Sequence, residues 1–210
     1  MYKLSNRLKT CASLVRAGKR LCDVGCDHGY VPAYLVECGK IPSAVACDIN
    51  EGPLNACKKL VSEFGYECKI KCVLSDGLTE INEEEIDDVL IAGMGGELIA
   101  DILSQRAWIK NKHLVLNPMT HPEIAREWLY NNGFEIHRDL IVSDGRHYYS
   151  VFDAEYTGVI RQRSRADYFL GNIKDFSKRE YFEHLLNYLR NKQKGMEDFS
   201  EVIKAIEEKL

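Results

Sequence analysis

Arg20-Leu21-Cys22-Asp23-Val24-Gly25-Cys26-Asp27-His28-Gly29 is the stretch that decides the fold. Its apolar start followed by glycine reads as a short strand ending in a tight turn. Residues 31–38 (VPAYLVEC) follow at once and read as a helix with Pro32 in its first turn, where the missing N–H costs nothing. A strand, a glycine turn and a helix make the first half of a βαβ unit. The turn then sits at the C-terminal end of the strand, where open α/β sheets take their ligands.

The same alternation continues outward. Residues 44–48 (AVACD) read as a second strand ending at an acid, 51–65 as a helix, and Lys69–Leu74 as a third strand ending in Ser75-Asp76-Gly77. Asp87–Ala92 reads as a fourth strand ending in Gly93-Met94-Gly95-Gly96, with a helix through Leu103. His113–Leu116 is a fifth, ending at Asn117-Pro118, and Ile124–Asn131 is a helix closed by Gly133. Phe134–Val142 and His147–Glu155 read as two longer strands joined by Ser143-Asp144-Gly145-Arg146, a hairpin signal. Upstream, Leu4, Leu8, Cys11, Ala12 and Val15 fall at helical spacing over 4–17, ending at Gly18. Five strand–helix units and a terminal hairpin give an α/β fold with a seven-stranded, mostly parallel, Rossmann-like sheet and an antiparallel hairpin edge. That is the element order of the class I methyltransferases.

The C-terminal segment is different. From Phe182 the apolar positions run Phe182, Leu185, Leu189, Met196, Phe199, Ile203, Ile206 and Leu210, a heptad-like pattern. It predicts one long helix from about Ser177 to the end, despite Gly195, with a short helix over Ser164–Ile173 against it. The expected division is a domain at 1–158, beginning with a basic helix at 1–18, and a helical or coiled-coil arm at 159–210.

The turns carry the chemistry. A dinucleotide site wants G-x-G-x-x-G, which lets backbone amides meet a pyrophosphate. The first turn has acids around its glycines instead. Such a turn repels a pyrophosphate and suits a ligand with an ammonium and a sulfonium, namely S-adenosylmethionine, with S-adenosylhomocysteine as product. Asp23 or Asp27 is expected to hold the ammonium, with Gly25 and Cys26 giving close backbone approach. Asp48, with Ile49 beside it, is placed to accept from ribose hydroxyls. Asp76 and Gly77 are placed at the adenine amino group, and Gly93 and Met94 beside the sulfonium.

Composition bounds the rest. The chain has 210 residues, 45% apolar and 29% charged, an ordinary globular balance. No apolar run approaches a membrane span, and MYKLSNRLKT lacks a signal-peptide core, so a cytoplasmic protein is expected. The net charge of −4 hides its distribution. Residues 1–20 carry +6, residues 21–157 carry −12 and residues 158–210 carry +2, of which 158–194 hold +5. Two basic ends flanking an acidic middle suggest a polyanion-binding surface built from the ends. The eight cysteines include the pairs Cys22/Cys26 and Cys68/Cys72, both C-x3-C, the wrong spacing for a zinc knuckle. They read as small buried hydrophobes, and no metal is expected.

The motifs also resemble a family. Leu4-Ser5-x-Arg7-Leu8, Asp23-x-Gly25-x-Asp27-His28-x-Tyr30-x-Pro32, Ile91-Ala92-Gly93-Met94-Gly95-Gly96, Asn117-Pro118, Arg126-Glu127-Trp128-Leu129 and Asp144-Gly145…Tyr148 resemble the bacterial tRNA (adenine(22)-N1)-methyltransferases over essentially the whole chain. Gly29 and Val31 depart from the residues more usual there. The resemblance implies methylation of N1 of adenine 22 in tRNA, with the arm helping to bind tRNA and no obligate protein partner. N1 has a free lone pair at neutral pH, so alignment and exclusion of water matter more than a general base. The base must leave its pair to react. Asn117 is expected to orient the adenine edge by its amide or by the rigid Asn-Pro carbonyl, Asp27 to steady the developing cation, and His28 and Tyr30 to shape the pocket or stack on the base. Alternatives are methylation of another RNA or a small molecule, or a non-catalytic tRNA-binding module.

Overall fold

The computed structural model describes residues 3–160, 163–195 and 197–210. Helix α1 (Asn6–Leu14) leads into β1 (Leu21–Val24), α2 (Tyr30–Glu37), β2 (Ala44–Asp48), α3 (Glu51–Glu63) and β3 (Ile70–Leu74). Then come β4 (Asp88–Gly95), α4 (Gly96–Ser104), β5 (His113–Thr120) and α5 (Pro122–Asn131). Strands β6 (Phe134–Asp144) and β7 (His147–Tyr156) form the hairpin, and α6 (Arg165–Leu170), α7 (Arg179–Lys192) and α8 (Ser200–Glu207) complete the chain.

The seven strands form one sheet in the order β3-β2-β1-β4-β5-β7-β6. The first five are parallel, and β7 runs antiparallel to both neighbours. The hairpin is therefore seated with its second strand inward and β6 as the edge. From β1 the chain builds outward through β2 and β3, then returns to the other side of β1 with β4. That reversal opens a crevice at the C-terminal ends of β1 and β4.

Successive residues of the central strands feed opposite faces. Leu90 and Val115 join the core under α1, α2 and α3, whereas Val89, Ile91, Leu114 and Leu116 join the core under α4 and α5. Burial on both faces explains why these strands read as continuous apolar runs. Helix α1 is pinned at both ends. Ser5 accepts from Leu8 N–H, and Lys40 Nζ donates to the carbonyls of Ala12 and Ser13 at 2.7 and 2.9 Å. Just beyond it, Arg16 grips the fully buried Asp88 at the foot of β4 (2.7 Å) and Glu155 on β7 (3.0 Å).

A second buried pair ties the C-terminal helices to the sheet. Arg126 on α5 donates to both carboxylate oxygens of Asp139 on β6 at 2.9 and 3.0 Å, and neither side chain has any exposed surface. Arg126 also donates to Ser150 Oγ on β7 and to the carbonyls of Tyr168 and Phe169 on α6. Asp139 accepts the Asn172 N–H at 3.1 Å. Burial works against the guanidinium charge, but the Asp139 carboxylate outweighs it and holds Arg126 protonated. Gly171 fits over the pair, where a Cβ would come within 2.1 Å of Asp139 Oδ2.

Three expectations are corrected. The helix from Ser177 to the end is two helices, with a turn over 193–195. Gly195 disfavours helix, and Asp198 Oδ1, just before the restart, accepts the Ser200 N–H at 2.9 Å. The halves fold back as an antiparallel hairpin, closed by Arg179 to the Leu210 carbonyl (2.9 Å) and Gln193 to Ser200 (2.7 Å). The heptad register shifts accordingly: Leu186 and Val202 are buried, rather than Leu185 and Ile203. Met196 lies outside the described residues. Strands β4 and β5 run beyond their expected ends, so Asn117-Pro118 lies inside β5 and not in a turn after it. Pro118 pairs with Met94 at an irregularity of the ladder, where a missing N–H is tolerated. Finally, Cys38 and Cys68 are exposed and Cys72 is partly so. All eight cysteines are free, and burial pushes the Cys11 thiol up to about 12.

Candidate functional site

The first turn is set by its backbone. Gly25, Asp27 and Gly29 have φ of +70, +51 and +69°, so three of five residues sit in the left-handed region. The Gly25 and Cys26 N–H groups both donate to the Cys47 carbonyl at 2.9 Å, which locks the turn to the end of β2. A Cβ at Gly25 would lie 2.2 Å from Met94 Cε. The left-handed φ is what calls for glycine here, and Met94, from the end of β4, reaches across the crevice to lie over it.

Two carboxylates face this crevice from β1 and β2. Asp23 is 5% exposed and Asp48 8%. Burial, reinforced by the negative charge of Asp48, pushes the Asp23 carboxyl up to about 7. Asp48 accepts from the Asn50 N–H at 2.9 Å and the Asp27 N–H at 3.3 Å, which fixes its orientation. Two acids held this close with little water suit a cationic ligand, which would relieve both burial and repulsion. Asp76 is exposed at the end of β3. Its turn is built by Ser75 Oγ on the Gly77 carbonyl (2.9 Å) and by Gln105 Oε1, which accepts the Leu78 N–H (2.7 Å). Gly77 has φ +58°, which favours glycine, and the Gln105 amide packs close over it. Ile49 (59% exposed) and Leu74 (46%) add an apolar rim beside Asp48 and Asp76 that suits a flat ring. Gly93 has φ +91° and open space where a Cβ would stand, so close approach remains available there. Cys26 is buried and offers a ligand only its backbone.

The residues expected to act on the base separate into two groups. Asp27, His28 and Tyr30 are exposed on the first turn. His28 Nδ1 lies 2.8 Å from Asp27 Oδ1, and its ring stacks on Tyr30 at 5.3 Å and 4°. Asn117 is fully buried. Its Nδ2 donates to the Ser150 carbonyl at 2.8 Å, and its Oδ1 accepts from Arg7 Nη1 at 2.7 Å. The side-chain amide is thus turned inward to these partners, which leaves the Asn117 backbone carbonyl, before Pro118, as the group that could orient a base.

Beyond Pro118, the β5–α5 loop, the β6–β7 hairpin and α7 border an open cavity of about 770 Å³. Tyr148, Tyr149, Tyr181 and Tyr188 line it with aromatic surface, and Arg146 and His184 add basic character. Burial pushes the Tyr181 hydroxyl upward from its ordinary value, so it stays a neutral donor. The floor depends on a close approach: a Cβ at Gly96, the first residue of α4, would meet the His121 carbonyl at 2.0 Å. His121 itself has φ +50°. The sequence reading did not find this cavity. Arg146-His147-Tyr148-Tyr149 was a local signal for it, but only folding brings α7 opposite that run. No group of histidine, cysteine and acidic side chains that could hold a metal occurs among the described residues, and no helix among them is long and apolar enough to cross a membrane.

Comparison with known proteins gives concordant matches. Residues 4–152 match a family described as a methyltransferase domain. The tRNA (adenine(22)-N(1))-methyltransferase of Bacillus subtilis is 37% identical over 155 residues, covering 73% of this chain and 65% of that protein. Sp1610 of Streptococcus pneumoniae, a candidate tRNA (m1A22) methyltransferase solved with S-adenosyl-L-methionine, superposes with a TM-score of 0.83 at 32% identity, over 98% of this chain and 99% of that one. TrmK of M. capricolum, solved with S-adenosyl-homocysteine, superposes at 0.81 and 27% identity, over 99% and 95%.

Proposed function

Since this chain belongs to the methyltransferase-domain family and, within it, to the tRNA (adenine(22)-N(1))-methyltransferases, we propose that it moves a methyl group from S-adenosylmethionine to N1 of adenine 22 in tRNA. One observation carries this reading. The acidic crevice suited to a cationic cofactor and the aromatic, basic cavity open along the same C-terminal edge of the sheet, joined through β4 and β5. Neither a small-molecule enzyme nor a binding module needs both.

S-adenosylmethionine, when bound, supplies an electrophilic methyl group. Asp23 is proposed to face its ammonium, Asp48 the ribose hydroxyls, Asp76 and Gly77 the adenine, and Gly93 and Met94 the sulfur. The proposed task of the cavity is to receive an unpaired nucleobase against its tyrosines and exclude water. Asp27 is the proposed stabiliser of a cationic product, with His28 and Tyr30 as a stacked wall. Residues 1–158 are proposed as the catalytic domain and 159–210 as an arm that, with the basic N-terminal helix, grips tRNA in the cytoplasm.

Labelled S-adenosylmethionine and tRNAs carrying A22 or G22 test the reading. Label should enter the A22 tRNA alone; equal labelling of both would sink the positional assignment, and cofactor binding with no transfer would favour the binding module. A pH series tests Asp23. An ammonium is held by the ionised carboxylate, so S-adenosylmethionine affinity should fall below about pH 7, approaching tenfold per pH unit. Asp23→Asn should flatten the profile, and a wild-type profile already flat between pH 5 and 8 would remove Asp23 from the ammonium site. For the unliganded fold the sign is opposite. The folded carboxyl titrates above its unfolded value, so its contribution to stability is present at acid pH and lost as pH rises toward 7.

A further inference from the structure

We propose that the Tyr181 hydroxyl, aimed by Ser150, is the hydrogen-bond donor with which the cavity reads a ring nitrogen of the adenine it receives. The proposal deepens the methyl-transfer reading above and rests on it.

Tyr181 stands near the start of α7, and Ser150 faces it from β7. Their hydroxyl oxygens lie 3.4 Å apart, a distance that leaves the direction of the bond open. Arg126 fixes that direction. A guanidinium has five N–H groups, and all five of Arg126 are engaged. Nε and one Nη2 hydrogen go to Asp139, the Nη1 pair goes to the Tyr168 and Phe169 carbonyls, and the other Nη2 hydrogen goes to Ser150 Oγ at 3.0 Å. Ser150 Oγ therefore accepts from a group that can accept nothing in return. Ser150 is 2% exposed, and a buried hydroxyl hydrogen without an acceptor is costly. Among the described residues Tyr181 Oη is the acceptor within its reach. Arg126 donates to Ser150, and Ser150 donates to Tyr181.

The consequence falls in the cavity. Tyr181 lines its wall, and with its oxygen taken by Ser150 its own O–H is what faces a ligand. Burial keeps that hydroxyl protonated. The positive charge behind it sharpens the donor, because each bond in a chain that starts at a guanidinium polarises the next. The Tyr181 ring rests edge-on against the fully buried Phe182, with centroids 5.0 Å apart and planes at 84°. Glu123, the acid in the cavity lining, is engaged by His121 Nδ1 at 3.1 Å, and no hydrogen bond joins it to Tyr181 among the described residues.

A donor fixed in this way selects an acceptor. Stacking against tyrosine faces leaves a base free to turn in its own plane, and one directed hydrogen bond removes that freedom and aims the reacting edge. Unpaired adenine carries ring lone pairs at N1, N3 and N7. N1 must face the methyl group, and the exocyclic amine is no acceptor. N3 and N7 share the chemistry that Tyr181 would read.

Methyl transfer by the full-length chain to tRNAs carrying adenosine, 3-deazaadenosine or 7-deazaadenosine at position 22 tests this. Tyr181→Phe should lower kcat/KM about tenfold on the adenosine tRNA. On the analogue that lacks the nitrogen being read, the two proteins should be equal; on the other analogue the tenfold difference should persist. Comparing two proteins on one substrate cancels any effect of the analogue on N1 itself, and loss of packing alone would lower all three substrates alike. Ser150→Ala should cost less than Tyr181→Phe and add nothing to it. If Tyr181→Phe does not fold, the pair Ser150→Ala with Tyr181→Phe, which leaves no hydroxyl without a partner, takes its place. Wild-type rates in the variant, or a tenfold loss on all three tRNAs, would overturn the proposal while the methyl-transfer reading stands. A wild-type chain that labels no A22 tRNA would defeat that reading, and the proposal with it.

Discussion

Asp139→Ala is expected to cost about 3–5 kcal/mol of stability, because it strands the fully buried Arg126 charge without its carboxylate. For a chain of this length that corresponds to a fall in Tm on the order of 10 °C. The loss has a specific place. Asp139 also receives the Asn172 N–H, and Arg126 holds the last carbonyls of α6, so the same change should loosen the C-terminal helices from the sheet. Hydrogen exchange would show early loss of protection in α6–α8 while β1, β4 and β5 stay protected. An unaltered Tm would mean that the pair is hydrated and that the docking rests on apolar contact alone. The double change Arg126→Met with Asp139→Leu should be much milder, since it leaves no unpaired charge behind.

Asp48→Ala is expected to weaken S-adenosylmethionine binding by at least about 100-fold. A ribose diol offers two donors, and hydrogen bonds to a charged group are each worth about 1.5–3 kcal/mol. The carboxylate is already oriented by the Asn50 and Asp27 N–H groups, so little ordering is required on binding. Asp48→Asn keeps one acceptor and should fall between the two. The change has a second effect with a definite sign. Removing the charge that raises the Asp23 carboxyl should move the pH midpoint of binding downward. Calorimetric titration reads both, and affinity within threefold of wild type would exclude Asp48 from the ribose site.

The parts of this protein that were legible in its sequence share a physical property. Each is written in residues close together along the chain. A four-residue strand, a left-handed glycine and a helix start lie within Leu21–Val31, so local sterics announce them. The acids at the ends of β1, β2 and β3 follow, because the end of a strand in a parallel sheet is always on the same edge. The arm was legible in its apolar spacing but not in its break. Periodicity records which residues are buried, and two short helices folded on each other bury much the same set as one long helix packed on a partner.

Asn117 marks where such reading stops. Its position after a strand suited an amide aimed at a base. Its actual partners, Arg7 and Ser150, lie 110 and 33 residues away, and nothing local announces either. The cavity is a similar case, since Tyr149 on β7 and Tyr188 on α7 line one cavity only once the C-terminal helices dock on the sheet. The sequence by itself determined the layer order, the acidic crevice and the polarity of the two ends, since hydrophobic period, glycine sterics and charge are properties of neighbours. Only the tertiary structure decided which buried polar groups face each other, because a hydrogen bond between distant residues is chosen by the packing that desolvates it.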